Sequence, residues 1–295
     1  MQDIIIIGAG PAGLTAALYA LRANKKVLIF ESKIYGGQIV NASKIENYPG
    51  LPNVSGFDYV ETLYKQVKNL GGEVKFETVL NIDKDKNVYT NKGEYKAKSI
   101  IIATGLETKK LGLENEDKFI GSGISYCATC DGNFYKNKNV AVVGGGNTAL
   151  TDVIYLSNIV KNVYLIHRKD TFKGDVKYLE EIKKLENVKF ILNSTIVNLN
   201  GNENLESITI NNNDKHEILE IDGLFIAIGQ EPKNSCFNNL IETDSYGYIK
   251  TLDGVHTNID GIYVAGDIKE KDLRQLVTAV SDGACAATIA INEMR

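Results

Sequence analysis

Cys127 and Cys130, two residues apart and followed at once by Asp131, carry the most specific chemistry in this 295-residue chain. Thiols at that spacing can close a small disulfide and reopen it as a dithiol, and the spacing lowers a thiol's pKa enough to supply thiolate near neutral pH. Half of a zinc site or a static disulfide would use the same spacing. Zinc, however, needs a second ligand pair. The other cysteines, Cys236 and Cys285, are isolated, and His167, His216 and His256 show no metal spacing, so no metal site is expected. Both isolated cysteines read as small buried residues. Position strengthens the redox reading, because the pair lies between two dinucleotide-binding fingerprints.

The first fingerprint begins with the apolar run 4–7, a buried strand. Gly8-Ala9-Gly10-Pro11-Ala12-Gly13 makes the tight turn, residues 14–23 form a helix, and residues 27–30 form a second strand closing on Glu31. This is G-x-G-x-x-G in its strand–turn–helix context: one glycine for the turn, one for close approach of a pyrophosphate, one for packing helix on strand. The helix start supplies N–H groups and a positive dipole end for phosphates. Glu31 can accept hydrogen bonds from ribose hydroxyls and would repel a 2′-phosphate.

The unit recurs at strand 140–143, turn Gly144-Gly145-Gly146-Asn147-Thr148-Ala149, a helix to about residue 158 and strand 163–166. His167-Arg168-Lys169 replaces the acid, with Lys173 four residues on. Residues 161–190 hold eight Lys/Arg against five Asp/Glu on a chain whose formal net charge is −4. A solvated helix face accounts for Lys183 and Lys184, less easily for the cluster at the strand end. Basic groups there suit a 2′-phosphate, so the second site reads as built for NADPH.

Strands 99–102, 224–228 and 261–264 each end in small residues: Ala103-Thr104-Gly105, Gly229 and Gly266-Asp267. Asp267 is placed to meet a flavin nucleotide, and Arg274-Gln275-Leu276 opens a small-residue helix to about residue 291. The late segment suits the first nucleotide site, so the fold class is α/β with two Rossmann-like three-layer dinucleotide-binding domains, the second inserted into the first. The expected boundaries are 1–113 with 237–295, and 114–236. Net charge argues against nucleic acid as a partner. No apolar run approaches the ~20 residues of a membrane span, and no basic leader precedes residues 4–7. The expectation is a cytoplasmic protein, in a compartment where a C-x-x-C is more often catalytic than structural.

With these motifs, and with Gly36-Gly37-Gln38, Glu46-Asn47-Tyr48-Pro49-Gly50 and Arg274-Gln275 in matching order, the chain resembles the low-molecular-weight bacterial thioredoxin reductases along essentially its whole length. These are class II FAD-dependent pyridine nucleotide-disulfide oxidoreductases. The resemblance implies a homodimer that passes electrons from NADPH through FAD and a redox disulfide to thioredoxin. It places flavin contacts on Gly8, Gly10, Pro11, Ala12, Gly13, Glu31, Ser32, Gly37, Gln38, Asn47, Val79, Ala103, Thr104, Gly105, Asp267, Arg274, Gln275 and Leu276. Contacts to NADPH fall on Gly144, Gly146, Asn147, Thr148, His167, Arg168, Lys169, Lys173 and Gly229. It also implies that Cys130 faces the flavin and attacks substrate, with Cys127 resolving; Asp131 is either the acid or base for the thiols or an ordinary turn aspartate.

Where the family reads H-R-R-x-x-x-R, this chain has Lys169 and Lys173, point charges without an arginine's bidentate grip. Leu150-Thr151-Asp152 stands where two adjacent acids are usual. The alternative function is therefore a thioredoxin reductase drawing on ferredoxin or another donor. A dithiol that must meet both flavin and a protein implies domain rotation, with hinges expected near 111–122 and 229–234.

Overall fold

The structure, a computed structural model, describes residues 1–294 apart from Ser43, Glu46, Pro52 and Asn238. Glu46, at the head of the 46–50 motif, therefore lies outside the described residues. The chain divides into two compact units, Met1–Glu107 with Glu231–Arg295, and Thr108–Gln230. Both crossings fall a few residues before 113/114 and 236/237. The connecting segments Leu106–Thr108 and Gln230–Pro232 pair with each other as a two-stranded sheet. Residues 111–122, expected as a hinge, belong instead to the second unit and are tied down within it. Glu116 is 3% exposed, and its carboxylate accepts the N–H groups of Leu111 at 2.9 Å and Gly112 at 2.8 Å and the hydroxyl of Tyr126 at 2.8 Å.

In the first unit, strands Glu73–Phe76, Val27–Glu31, Gln2–Ile7 and Glu94–Ile102 lie side by side and parallel. Ile4, Ile5, Ile6 and Ile7 are all buried because the sheet is covered on both faces, which is why this strand reads as a continuous apolar run. Ile4 and Ile6 face helices Pro11–Arg22 and Leu276–Glu293; Ile5 and Ile7 pack with Phe237, Ile241 and Ile249. The two helices touch closely, since a Cβ on Gly283 would lie 2.1 Å from Ala12 O. Cys285 points away from that seam and is exposed, whereas Cys236 is buried; the expectation that both are buried fails for Cys285 because Gly283, Ala286, Ala287 and Ala290 take the packed side of the helix. Strand Glu94–Ile102 is longer than the expected 99–102. Its first half pairs antiparallel with Asn87–Thr90, and its second half runs parallel to Gln2–Ile7 and to Ile262–Val264.

The second unit is built on five parallel strands in the order Val188–Ile191, Asn162–Ile166, Asn139–Gly144, Gly223–Ala227, Ile124–Ser125. Helix Asn147–Ser157 packs on one face through Leu150, Val153 and Leu156. On the other, Ile196, Leu199, Ile208 and Ile210 come from an antiparallel sheet of Ser194–Gly201, Leu205–Asn212 and Lys215–Glu220.

One polar cluster ties the end of helix Leu276–Glu293 to the sheet. His256 Nδ1 lies 2.7 Å from Asp253 Oδ2 and its Nε2 2.9 Å from Glu293 Oε1, while the Tyr263 hydroxyl donates to Glu293 Oε2 at 2.5 Å. Hydrogen bonding to Glu293, then to Asp253, raises the His256 pKa above its ordinary value. A raised folded pKa gives stabilisation that is full below the unfolded value of about 6.5 and is lost as pH climbs through the folded value. The wild-type Tm should exceed that of His256→Gln most at about pH 6, and the difference should shrink toward about pH 9. A difference independent of pH, followed by calorimetry, would contradict this.

Candidate active site

Strand Gln2–Ile7 runs directly into Gly8, whose φ of 108° favours glycine. Space is as restrictive as torsion: a Cβ on Gly8 would lie 2.3 Å from Ala103 O, and one on Gly13 would lie 1.9 Å from Gly8 O. Gly10 differs. It is the N-cap of helix Pro11–Arg22, has extended backbone and no side-chain cap, and a Cβ there would find its nearest neighbour, Gly37 Cα, at 3.9 Å. The helix therefore opens beside clear space with N–H groups that no capping side chain takes, the arrangement that receives a pyrophosphate.

Glu31 ends its strand with a carboxylate oriented by Ala9 N–H and Lys33 N–H, each at 3.0 Å. It borders a cavity of about 90 Å³. Gly8, Ser32, Val79 and Thr104, which the resemblance makes flavin contacts, line that cavity; Glu77, Lys233 and Cys236, which no motif announced, line it too. Burial pushes the Cys236 thiol up to about 11, so it packs there as a neutral group. Among the described residues, the buried Oγ1 of Thr104 has no hydrogen-bond partner.

Gly266 brings Asp267 to the helix start, where a Cβ on Gly266 would meet Ala12 Cβ at 2.9 Å. Lys271 Nζ stands 3.2 Å from Asp267 Oδ1 as an ion pair without hydrogen-bonding geometry, leaving that oxygen able to accept. Asp282, missed in the sequence, anchors the surroundings by accepting from Lys269 at 2.7 Å, Lys271 at 2.8 Å and Gly266 N–H at 3.2 Å. Arg274 directs its guanidinium to the carbonyls of Asp267 and Lys269, both at 3.3 Å, and lies over the Tyr248 ring. Gln275 caps helix Leu276–Glu293 and accepts from Asn47 at 2.8 Å; Gln38 donates to Leu106 O at 3.2 Å. The glycine cradle, the uncapped helix start and two buried oxygens without donors fit a dinucleotide with polyol hydroxyls.

In the second unit, strand Ile124–Ser125 leads into the dithiol. Cys127 and Cys130 are joined as a disulfide across the single turn Ala128–Asp131. Ser125 organises this turn: its Oγ donates to Asp131 Oδ2 at 2.6 Å and accepts the Cys127 N–H at 3.0 Å. Gly132 lets the turn sit against Leu156 and Tyr155, which a Cβ would approach to 3.0 and 3.1 Å. Cys130 is exposed and Cys127 half-buried. Burial, with the charges of Asp131 and Asp222, raises the Tyr135 hydroxyl pKa. Ser125 thus fixes the Asp131 carboxylate and the Cys127 backbone to the same strand end.

The second glycine turn repeats the first in its spacing constraints. A Cβ on Gly144 would lie 2.3 Å from Ala227 O and 2.8 Å from Ala149 Cβ, and Gly146 is an N-cap without a side-chain cap. Residues 167–175 fold over it, with Lys173 and Gly174 N–H groups donating to Gly145 O at 2.8 and 3.1 Å and Asp175 N–H to Asn147 Oδ1 at 2.7 Å. Arg168, Lys169 and Lys173 are exposed on this loop. His167 is packed, not presented: it stacks on Phe172, its Nε2 lies 3.1 Å from Thr171 O, and burial lowers its pKa. Burial pushes Asp152, on the helix that follows the turn, up to about 7.

The family described as pyridine nucleotide-disulphide oxidoreductase matches residues 2–283. A thioredoxin reductase of Treponema pallidum is 41% identical over 291 residues, covering 97% of this chain and 94% of its own. One from Mycoplasma genitalium is 42% identical over 293 residues, covering 97% and 93%. The crystal structure of Lactococcus lactis thioredoxin reductase gives a TM-score of 0.87 at 36% identity, covering 99% of this chain and 98% of that one.

The unequal clearances at Gly13 and Gly10 separate packing from ligand approach. Gly13→Ala should lower the Tm of ligand-free protein by several degrees, since its Cβ demands a backbone shift costing about 2 kcal/mol or more. Gly10→Ala should leave that Tm unchanged while weakening dinucleotide binding at least tenfold. Equal Tm losses would refute the distinction.

Proposed function

The chain belongs to the pyridine nucleotide-disulphide oxidoreductase family, and we propose that it is an NADPH-dependent thioredoxin-disulfide reductase carrying FAD. It is an oxidoreductase. The observation that carries the reading is the Cys127–Cys130 disulfide, with Cys130 exposed, on a turn that Ser125 ties to Asp131 and to Cys127 N–H. FAD suits the first unit's cradle, with Gly8, Gly10 and Gly13 around the pyrophosphate, Glu31 on the adenosine ribose and Asp267 and Thr104 as acceptors; NADPH suits the second unit's, with Arg168, Lys169 and Lys173 for the 2′-phosphate. When bound, the flavin supplies two-electron transfer between nicotinamide and disulfide.

The chain's own residues do the rest. An electron pair delivered to the disulfide breaks its S–S bond and leaves a Cys130 thiolate and a Cys127 thiol, with Asp131 positioned to hold or return the proton. Cys130 then attacks the disulfide of oxidised thioredoxin, forming a mixed disulfide and expelling a thiolate of the substrate. Cys127, deprotonated, attacks Cys130 Sγ, which releases the second substrate thiolate and restores the intramolecular bond. The two supplied electrons and two protons, one given up by the Cys127 thiol and one taken from solvent, leave as the dithiol of reduced thioredoxin. The same reading includes a homodimer and a cytoplasmic location; among the described residues no helix is long and apolar enough to cross a membrane.

The test is thioredoxin turnover by FAD-loaded protein with NADPH, NADH or reduced ferredoxin as donor. NADPH should support turnover, and Arg168→Ala should raise its KM about ten- to a hundredfold, equivalent to roughly 1.5–3 kcal/mol for a lost charge-assisted contact, with little change for NADH. Turnover with ferredoxin and none with either nucleotide would overturn the donor assignment.

A further inference from the structure

Lys233 belongs to none of the motifs, and it sits where the chain has just returned to the first unit after Gln230. Its Nζ donates to Ser32 Oγ at 2.7 Å across 201 residues of sequence. Ser32 Oγ in turn donates to Glu31 Oε1 at 3.4 Å. All three residues line the same cavity, together with a second carboxylate, Glu77. A serine hydroxyl has one hydrogen, so an ammonium on its acceptor side turns that hydrogen toward Glu31. Glu31 already receives Ala9 N–H on one oxygen and Lys33 N–H on the other. With Ser32 added, three donors orient a group that has about four acceptor positions, which fixes its rotamer and leaves limited capacity for a ribose hydroxyl. The ammonium also offsets two carboxylates on a wall that must admit a dinucleotide's negative phosphates.

We propose that Lys233 is the positioning residue of the adenosine-ribose site, acting through Ser32 to hold Glu31 for the cofactor. The inference rests on the reading that FAD occupies the first unit, and deepens it: retention of the adenosine half depends on a residue delivered by the returning chain, outside the fingerprint. Arginine at this position could still donate to Ser32; methionine, of similar length, could not.

The experiment measures FAD affinity of flavin-stripped protein by quenching of flavin fluorescence, alongside the Tm of the stripped protein, for wild type, Lys233→Met, Lys233→Arg, Ser32→Ala and the Lys233→Met/Ser32→Ala pair. Lys233→Met should raise the FAD Kd about tenfold at unchanged Tm, and Lys233→Arg should recover most of the loss. Ser32→Ala should cost a similar factor, and the double variant no more than the worse single one, because both act through one chain of contacts. An unchanged Kd in Lys233→Met, multiplying losses in the double variant, or a Tm loss that arginine does not rescue would each overturn the proposal. Failure of wild type to bind FAD would instead sink the functional reading.

Discussion

Backbone contact at two glycine turns is the constraint on which the rest of the molecule depends. Each unit needs a strand end, a turn and a helix start so close that even a methyl group collides: 1.9 Å between a Gly13 Cβ and Gly8 O, 2.3 Å between a Gly144 Cβ and Ala227 O. That closeness brings an uncapped helix start to the carboxyl edge of a parallel sheet, where N–H groups and the dipole favour phosphate. Neighbouring strand ends bring polar groups to the same edge. Ala103-Thr104 and Gly266-Asp267 do so in the first unit, and the loop after Asn162–Ile166 does so in the second.

The dithiol follows the same logic of strand ends. Strand Ile124–Ser125 pairs in parallel with Gly223–Ala227, and the disulfide turn begins two residues after it. Because Ser125 is both the last strand residue and the partner of Asp131 and Cys127, sheet register directly sets the position of the disulfide turn and of the Asp131 carboxylate. A cysteine pair on a free loop would have no such anchor.

The strand–turn–helix units were legible from the residues because each is local: a run of apolar residues, glycines at set offsets, then a strand ending in Glu31 or in Arg168 and Lys169. What escaped reading is what the fold assembles from distant chain. Lys233 and Glu77 reach the Glu31 cavity from far along the sequence, and Asp282, itself in no motif, gathers Lys269 and Lys271 across the Arg274-Gln275 turn. Composition also misled at Cys285, since a small residue in a small-residue helix is buried only if it falls on the packed side. The segment 111–122 read as a hinge because its anchor, the buried Glu116 carboxylate, bonds backbone N–H groups and one tyrosine hydroxyl, which makes no recognisable sequence pattern. His167 looked like one more basic ligand, yet its ring fills the space beside Gly145.

The central claim, that electrons supplied by nicotinamide pass through flavin into the Cys127–Cys130 bond, is tested most directly by anaerobic titration of FAD-loaded protein with NADPH, following flavin absorbance and free thiols together. Wild type should take up two electron pairs per chain, one for the flavin and one that appears as two new thiols, while the Cys127→Ser/Cys130→Ser variant should take up one and gain no thiol. Flavin reduction in wild type without new thiols, or equal uptake by the two proteins, would contradict the account.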